Sequence, residues 1–277
     1  MSQSGETLGI LAGRGRYPEL VAEGARSSGV RKIVTVAFEG ETDSRVTQLS
    51  DEVIWLRVGQ LGKCIRSLKR HQVHQVMMAG QIQPGRLFDL KPDLTALRLL
   101  FGLKERNAET LFGAVTAELS RHGIEVLPAI RCVESYLAGV GHLAGPRPDR
   151  QLFRDIELGW PVLSRLGALQ VGQCVVVKKG TVLAVEGYDG TDATIRRGGA
   201  LGGGKATLLK GTRPGQDFRF DVPVIGRATL RTCAEAGIAR IVLEGGRTLI
   251  LDRDEVMAAA RKCRICLFGY TTEESPG

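Results

Sequence analysis

The chain has 277 residues, 43% hydrophobic and 25% charged, proportions of a soluble globular protein that exclude a disordered or fibrous one. Against a usual domain size of roughly 100–200 residues, this length favours two modest domains over one. Thirty-eight Lys and Arg against thirty Asp and Glu leave a net charge of +8, which calls for an anionic partner: nucleic acid, a phosphorylated small molecule or a membrane surface.

The chain opens as strand, glycine turn, helix. Leu8–Ala12 is a short apolar run, Gly13-Arg14-Gly15 breaks it, and Pro18 opens a helix carrying Leu20, Val21 and Ala25. Ile33–Phe38 and Glu52–Leu56 read as strands, Leu61–His71 has helical spacing, and Val73–Gly80 returns to a strand ending in glycine. Helices follow at Leu94–Leu103 and Ala108–His122, with a strand at Glu125–Pro128. This alternation predicts a parallel-sheet, Rossmann-like α/β domain over residues 1–133, with ligands beyond the carboxyl ends of its strands, where Gly13, Gly15, Ala79 and Gly80 fall. The boundary is expected between Pro128 and Asp149, and Gly139–Pro148 is the richest turn cluster in the chain.

Residues 134–277 read as a mixed α+β domain. Leu152–Leu169 is a long amphipathic helix, and Cys174–Lys178 with Thr181–Glu186 forms a hairpin around Lys179-Gly180. Then come a helix at Asp192–Leu201, a strand at Ala206–Lys210, a helix at Thr229–Gly237 and strands at Ile241–Leu243 and Thr248–Leu251. A helix at Glu255–Lys262 and a strand at Ile265–Phe268 complete it, and the tail after Tyr270 is expected to be loose.

Several chemistries are excluded. No G-x-x-x-x-G-K-[ST] occurs, Pro18 replaces the third glycine of a dinucleotide fingerprint, and there is neither H-E-x-x-H nor G-x-S-x-G. The six cysteines lack zinc spacing, Cys263 and Cys266 being the one close pair, so reduced and mainly buried thiols are expected. Aromatics at 5% and basic runs no longer than Lys178-Lys179 or Arg196-Arg197 argue against nucleic acid. No stretch approaches the roughly 20 apolar residues of a membrane span. Met1–Glu6 has neither the basic nor the apolar part of a leader, so a cytoplasmic protein is expected.

The densest polar stretch lies in the second half. Glu186 ends a strand, Thr191 and Asp192 begin a helix, Lys210 ends the next strand, and Asp217, Arg219 and Asp221 alternate with Phe218, Phe220 and Val222. Read as extended chain, that alternation puts the charges on one side and the apolar anchors on the other. Cleavage of a phosphoanhydride needs this chemistry: cations for the phosphate oxygens and carboxylates to hold Mg²⁺ or orient water. Asp192, Asp217, Asp221 and Glu186 are candidate ligands of the metal, with Arg219, Lys210 and one of Arg196 or Arg197 for phosphate. The non-catalytic alternative is a module that senses a nucleotide sugar through Gly13–Gly15, with this acidic stretch a salt-bridged structural edge.

At these positions the chain resembles a known family. Leu8–Ala12 with Gly13, Gly15 and Pro18, Gly172–Val177, Val182–Glu186, Gly190-Thr191-Asp192, Arg197, and Gly215-Gln216-Asp217 running through Arg219-Phe220-Asp221, Pro223 and Gly226 carry the resemblance. They are similar to the UDP-2,3-diacylglucosamine pyrophosphatase family, the type unrelated to calcineurin-like metallophosphoesterases. The resemblance implies two domains with the ligand between them and a magnesium-dependent hydrolase of lipid A biosynthesis. Its substrate would be a glycolipid nucleotide, split by water attacking the sugar-side phosphorus into 2,3-diacylglucosamine 1-phosphate and UMP. It also implies Asp221 as the catalytic aspartate, and ligand contacts at Gly15, Ala79, Gly80, Gln173 and Thr191. Two segments depart from the family pattern: Arg106-Asn107-Ala108-Glu109 replaces a Lys-Gly-Asp-Asp helix start, and Gly80-Gln81-Ile82-Gln83-Pro84 lacks a basic residue. A diacylated product and the net charge together predict transient, peripheral contact with the anionic inner face of the cytoplasmic membrane. Pairing into a homodimer is left open.

Overall fold

The computed structural model describes residues 7–82, 92–103 and 108–272. Of the segments singled out above, Met1–Glu6, Gln83, Pro84, Arg106, Asn107 and the last five residues lie outside that range. The chain divides into two compact units, the first Met1–Glu134 with Asp217–Asp221, the second Ser135–Gln216 with Val222–Gly277.

In the first unit, β1 (Thr7–Ala12), β2 (Lys32–Phe38), β3 (Glu52–Leu56), β4 (Gln75–Ala79) and β5 (Glu125–Leu127) form one sheet in the order β3-β2-β1-β4-β5. All its pairings are parallel, with Leu8 opposite Ile33 on one side and Gln75 on the other. A sheet buried on both faces needs strands that are apolar throughout, and β1 and β2 are that: Ile10, Val34, Val36 and Ala37 are fully buried. Helix α1 (Tyr17–Ser27) packs on β1 and β4. Helices α3 (Leu61–Arg70) and α5 (Ala108–Arg121) bury Cys64, Ile65, Leu68 and Leu119 against Leu11, Val34, Val36 and Val76 of the strands. The described residues of this unit also form two short helices, α2 (Ser44–Gln48) and α4 (Leu94–Gly102), and a 3-10 turn at Ala129–Cys132.

The second unit is built on a mixed sheet in the order β6-β13-β11-β9-β7-β8. Its members are β6 (Gly141–Ala144), β7 (Cys174–Lys178), β8 (Thr181–Val185), β9 (Ala206–Lys210), β11 (Ile238–Glu244) and β13 (Cys266–Tyr270). Strands β9, β11 and β13 are parallel to one another, β6 and β7 run against them, and β8, antiparallel to β7, runs in their direction. The hairpin turn has positive φ at both central residues, Lys179 (46°) and Gly180 (81°), the twist that lets a two-residue loop join adjacent strands. Successive residues face opposite layers. Val175, Val177, Leu209 and Val242 meet α6 (Arg150–Ala168), while Cys174, Val176, Leu208 and Ile241 meet the side carrying α7 (Gly190–Gly202), α8 (Arg227–Glu235) and α9 (Arg253–Lys262). A two-stranded parallel pair, β10 (Val224–Ile225) with β12 (Leu249–Ile250), completes this unit.

Two sequence expectations are corrected. The glycine- and proline-rich stretch Gly139–Pro148 contains β6, because antiparallel pairing with β13 outweighs its poor strand propensity. The segment from Asp217 to Asp221 is coiled, not extended: the N–H groups of Phe220 and Asp221 both donate to the Asp217 carbonyl, at 3.2 and 3.0 Å. The reason is local. The Asp217 carboxylate accepts from the Arg219 backbone N–H at 3.0 Å, and such an aspartate turn competes with extended chain.

Candidate functional site

The carboxyl ends of β1 and β4 in the first unit bring together Gly13, Gly15, Ala79 and Gly80 as the sequence predicted. Ala12 and Ala79 are in register, the Gly13 N–H donates to Ala79 O at 2.7 Å, and Arg14 and Gln81 exchange both backbone hydrogen bonds at 2.7 and 3.1 Å. This close approach requires glycine. A Cβ on Gly13 would lie 2.6 Å from Gln81 O, and one on Gly80, whose φ is 89°, would lie 2.7 Å from Arg14 O. Gly15 turns the chain into α1 at φ 90°, with open space beside its Cα. Its N–H donates to Asp43 Oδ2 at 3.0 Å. Asp43 was missed in the sequence, although an acid shortly after the second strand of a βαβ unit is where such folds carry a ribose-binding carboxylate.

The Asp217–Asp221 turn belongs to this first unit, although the chain reaches it from the second. Phe220 holds it there, stacking on Phe112 of α5 at 5.7 Å between ring centres and packing against the core of that layer. Asp217 and Arg219 form a two-pronged ion pair, with Arg219 Nε at 2.9 Å from Oδ1 and Nη2 at 2.6 Å from Oδ2. The Arg219 guanidinium, aided by the Arg219 N–H, holds the Asp217 carboxyl below the usual carboxylate range. Asp221 is half-buried at the end of the turn, beside the Phe220 anchor.

In the second unit, Gln173, Glu186, Thr191 and Lys210 form one network. Lys210 ends β9 opposite Cys174, which starts β7, and the Glu186 N–H donates to Cys174 O at 3.0 Å, so three strand ends meet. The Glu186 carboxylate is 8% exposed and accepts from Gln173 N at 2.7 Å and from Thr191 Oγ1 at 2.6 Å. Thr191, in the first turn of α7, accepts in turn from Lys210 Nζ at 2.9 Å. Lys210 is itself 7% exposed, so a buried cation and a buried anion are joined through one hydroxyl. The sequence named all four residues but missed that Glu186 supports the other three. Arg197 is committed elsewhere, to the Asp189 carboxylate and to Val185 O at 2.7 Å.

The four candidate metal carboxylates are divided between the two units. Glu186 and Asp192 are carried by the second unit, Asp217 and Asp221 by the first. Glu186 is engaged by Gln173 and Thr191 and Asp217 by Arg219, while Asp192 is exposed. No group of three or more His, Cys, Asp or Glu side chains suited to a metal occurs among the described residues. Carboxylate oxygens suit a hard cation such as Mg²⁺, which takes one or two carboxylates and completes its shell with phosphate oxygens and water.

These features define a two-domain α/β protein, with a Rossmann-like first domain and a mixed-sheet second domain. Residues 7–136 match the family model of the LpxI N-terminal domain, and residues 139–268 that of the LpxI C-terminal domain. A relative from Caulobacter vibrioides, named UDP-2,3-diacylglucosamine pyrophosphatase LpxI, is 31% identical over 280 residues, covering 97% of this chain and 99% of the relative. The chain belongs to the LpxI family. Among solved structures, phosphoribosylglycinamide synthetase from Anaerococcus prevotii aligns at 11% identity and a TM-score of 0.27, covering 67% of this chain and 40% of that one. The biotin carboxylase domain of Hydrogenobacter thermophilus 2-oxoglutarate carboxylase aligns at 14% and 0.27, covering 63% and 35%. The chain thus spans less than half the length of either, and nothing about its chemistry follows from likenesses this low.

Proposed function

We propose that this protein hydrolyses the pyrophosphate bond of UDP-2,3-diacylglucosamine, releasing 2,3-diacylglucosamine 1-phosphate (lipid X) and UMP in lipid A biosynthesis. The observation that carries this reading is the end-to-end match to a relative named for that activity, through both domains. Water supplies the new P–O bond, the bridging P–O bond breaks, and the water proton passes to a base. Asp221 is the carboxylate we assign to orienting that water, and Phe220 fixes its place in the first unit. The glycine turn allows backbone to approach an anion closely at Gly15, Ala79 and Gly80. Lys210 is assigned to a phosphate oxygen, with Thr191 and Gln173 at its side, and Arg219 is assigned to position Asp217 and the turn. A divalent ion, Mg²⁺ by its preference for oxygen ligands, is assigned to Asp221 and would neutralise charge on the diphosphate.

No described helix is long and apolar enough to cross a membrane. The reading places the enzyme in the cytoplasm, meeting its acylated substrate at the inner face of the membrane.

Release of UMP, followed with and without a chelator, tests the proposal. Asp221→Ala is expected to abolish turnover while substrate still binds, so that mass spectrometry finds substrate lipid co-purifying with the variant. Unimpaired turnover by Asp221→Ala dismisses the assigned role, and binding without UMP release in the native protein favours a nucleotide-sugar-binding module.

A further inference from the structure

Helix α4 stands apart from the sheet. It packs on α3 and α5, the helices that cover the sheet face, and buries only Ala96. Six of its nine residues, in the sequence LTALRLLFG, are apolar and larger than glycine. Leu94 and Phe101 are each 75% exposed and Leu97 37%, at spacings of three and four that place them along one stripe with Arg98. Scattered exposed leucines are ordinary on a soluble protein; three large apolar side chains along one short outer helix are not.

The neighbouring helix supplies the complementary chemistry. The ten residues of α3 include Lys63, Arg66, Lys69 and Arg70, all exposed, and no acid. The two helices are held as a pair. The Asp93 carboxylate caps α4 through Ala96 N at 3.0 Å and also accepts from Lys63 N, in the first turn of α3, at 3.1 Å. Gly62 lies so close to Thr95 that a Cβ there would be 2.6 Å from its hydroxyl. Helices α4 and α5 bound a groove of ≈ 570 Å³ lined by Arg98, Leu99, Leu103, Ala114, Arg121 and His122. Among the described residues here, Asp93 is engaged as the double cap and Glu118 with Arg121 at 3.0 Å.

The geometry points to this α3–α4 face as the docking surface for an anionic phospholipid bilayer. Leu94, Leu97 and Phe101 enter the acyl boundary, and the α3 cations meet the lipid phosphates. Exposed apolar groups bordered by clustered Lys and Arg are the pattern by which peripheral helices bind anionic membrane surfaces. The inference rests on the proposed diacylated substrate for its purpose, but its chemistry stands on the surface alone.

The test is flotation of the full chain with vesicles of phosphatidylglycerol and phosphatidylcholine, against phosphatidylcholine alone, at low and high salt. UMP release from substrate in detergent micelles is measured in parallel. The native protein is expected to float with the anionic vesicles only, and less so at high salt. Leu97→Ser with Phe101→Ser, and separately Lys63→Glu with Arg66→Glu, are expected to lower binding about tenfold or more. Micellar UMP release should be unchanged in both pairs. Lys63 and Arg66 are both exposed, so the charge pair keeps the test open should the apolar pair fold poorly. Binding retained by the charge pair, equal binding to neutral vesicles, or no flotation at all overturns the assignment. So does a concentration-dependent dimer that disappears in the apolar pair, which would make the face an interface between copies. Failure of native UMP release in micelles counts against the proposed activity and leaves the flotation result standing.

Discussion

Removing the carboxylate of Glu186 should be among the most damaging single changes in the second unit. Glu186 accepts two hydrogen bonds, from Gln173 N at 2.7 Å and Thr191 Oγ1 at 2.6 Å, at a position 8% exposed. A hydrogen bond to a charged group contributes about 1.5–3 kcal/mol, and removing one partner of a buried ion pair costs about 3–5 kcal/mol. Glu186→Ala does both, because it leaves Gln173 N–H without its acceptor and Lys210, 7% exposed, without the anion reached through Thr191. The expected loss is about 3–5 kcal/mol, which at about 3–4 °C per kcal/mol lowers the transition of this unit by roughly 10–20 °C. Glu186→Gln can keep the bond to Gln173 but places an amide nearer a hydroxyl already donated to by Lys210, so about 1–3 kcal/mol is expected. The chain has two tryptophans, and Trp160 lies in α6 of the second unit whereas Trp55 lies in β3 of the first. Thermal unfolding followed by Trp160 fluorescence in a Trp55→Phe background therefore reads the relevant unit. A double-mutant cycle with Lys210→Met should recover about 1–2 kcal/mol of coupling. If Glu186→Ala unfolds within about 1 kcal/mol of the native protein, water has replaced both bonds cheaply and the supporting role assigned to this carboxylate is wrong.

Lys210→Met should raise KM and lower kcat/KM of UMP release by about 10–100-fold while the protein stays folded, a loss in the range of a charge-assisted bond to phosphate; unchanged kcat/KM removes Lys210 from the site. Gly80→Ala should destabilise the first unit by about 2 kcal/mol or more in urea unfolding, since φ 89° and a Cβ only 2.7 Å from Arg14 O act together; an unchanged midpoint means the two loops are not packed as described. Burial pushes the Cys64 thiol up to about 12 and raises those of Cys174 and Cys233 as well, whereas Cys263 is exposed. Iodoacetamide at pH 8 should therefore label Cys263 and spare those three, as mass mapping would show. The same shifts set an alkaline limit. The buried thiols hold their protons to higher pH than unfolded ones, so stability is intact below about pH 9 and declines above it as the unfolded chain ionises first. A stability curve flat from pH 8 to 11 contradicts that burial.

Much of this protein is legible along the chain because local signals agree with the fold. Apolar runs bounded by glycine became β1, β2, β4, β7 and β9, and Ala206–Lys210 and Glu52–Leu56 have the ends expected of them. Two-faced burial demands such runs, so periodicity and composition are enough to find them. The glycine turn after β1, the strand ends that carry Glu186 and Lys210, and the hairpin at Lys179-Gly180 followed for the same reason.

Tertiary structure decided what local pattern cannot carry. The alternation around Asp217 looks like a strand, but one carboxylate closing on Arg219 and one ring stacking on Phe112, more than a hundred positions away, make it a turn belonging to the first unit. Gly141–Ala144 becomes a strand only because β13 offers an edge to pair with. Which carboxylates are engaged and which face the solvent was equally invisible. Hydrogen-bond partners such as Gln173 with Glu186, or Gly15 with Asp43, are chosen by packing between segments distant in the chain, and residue type alone does not record that choice.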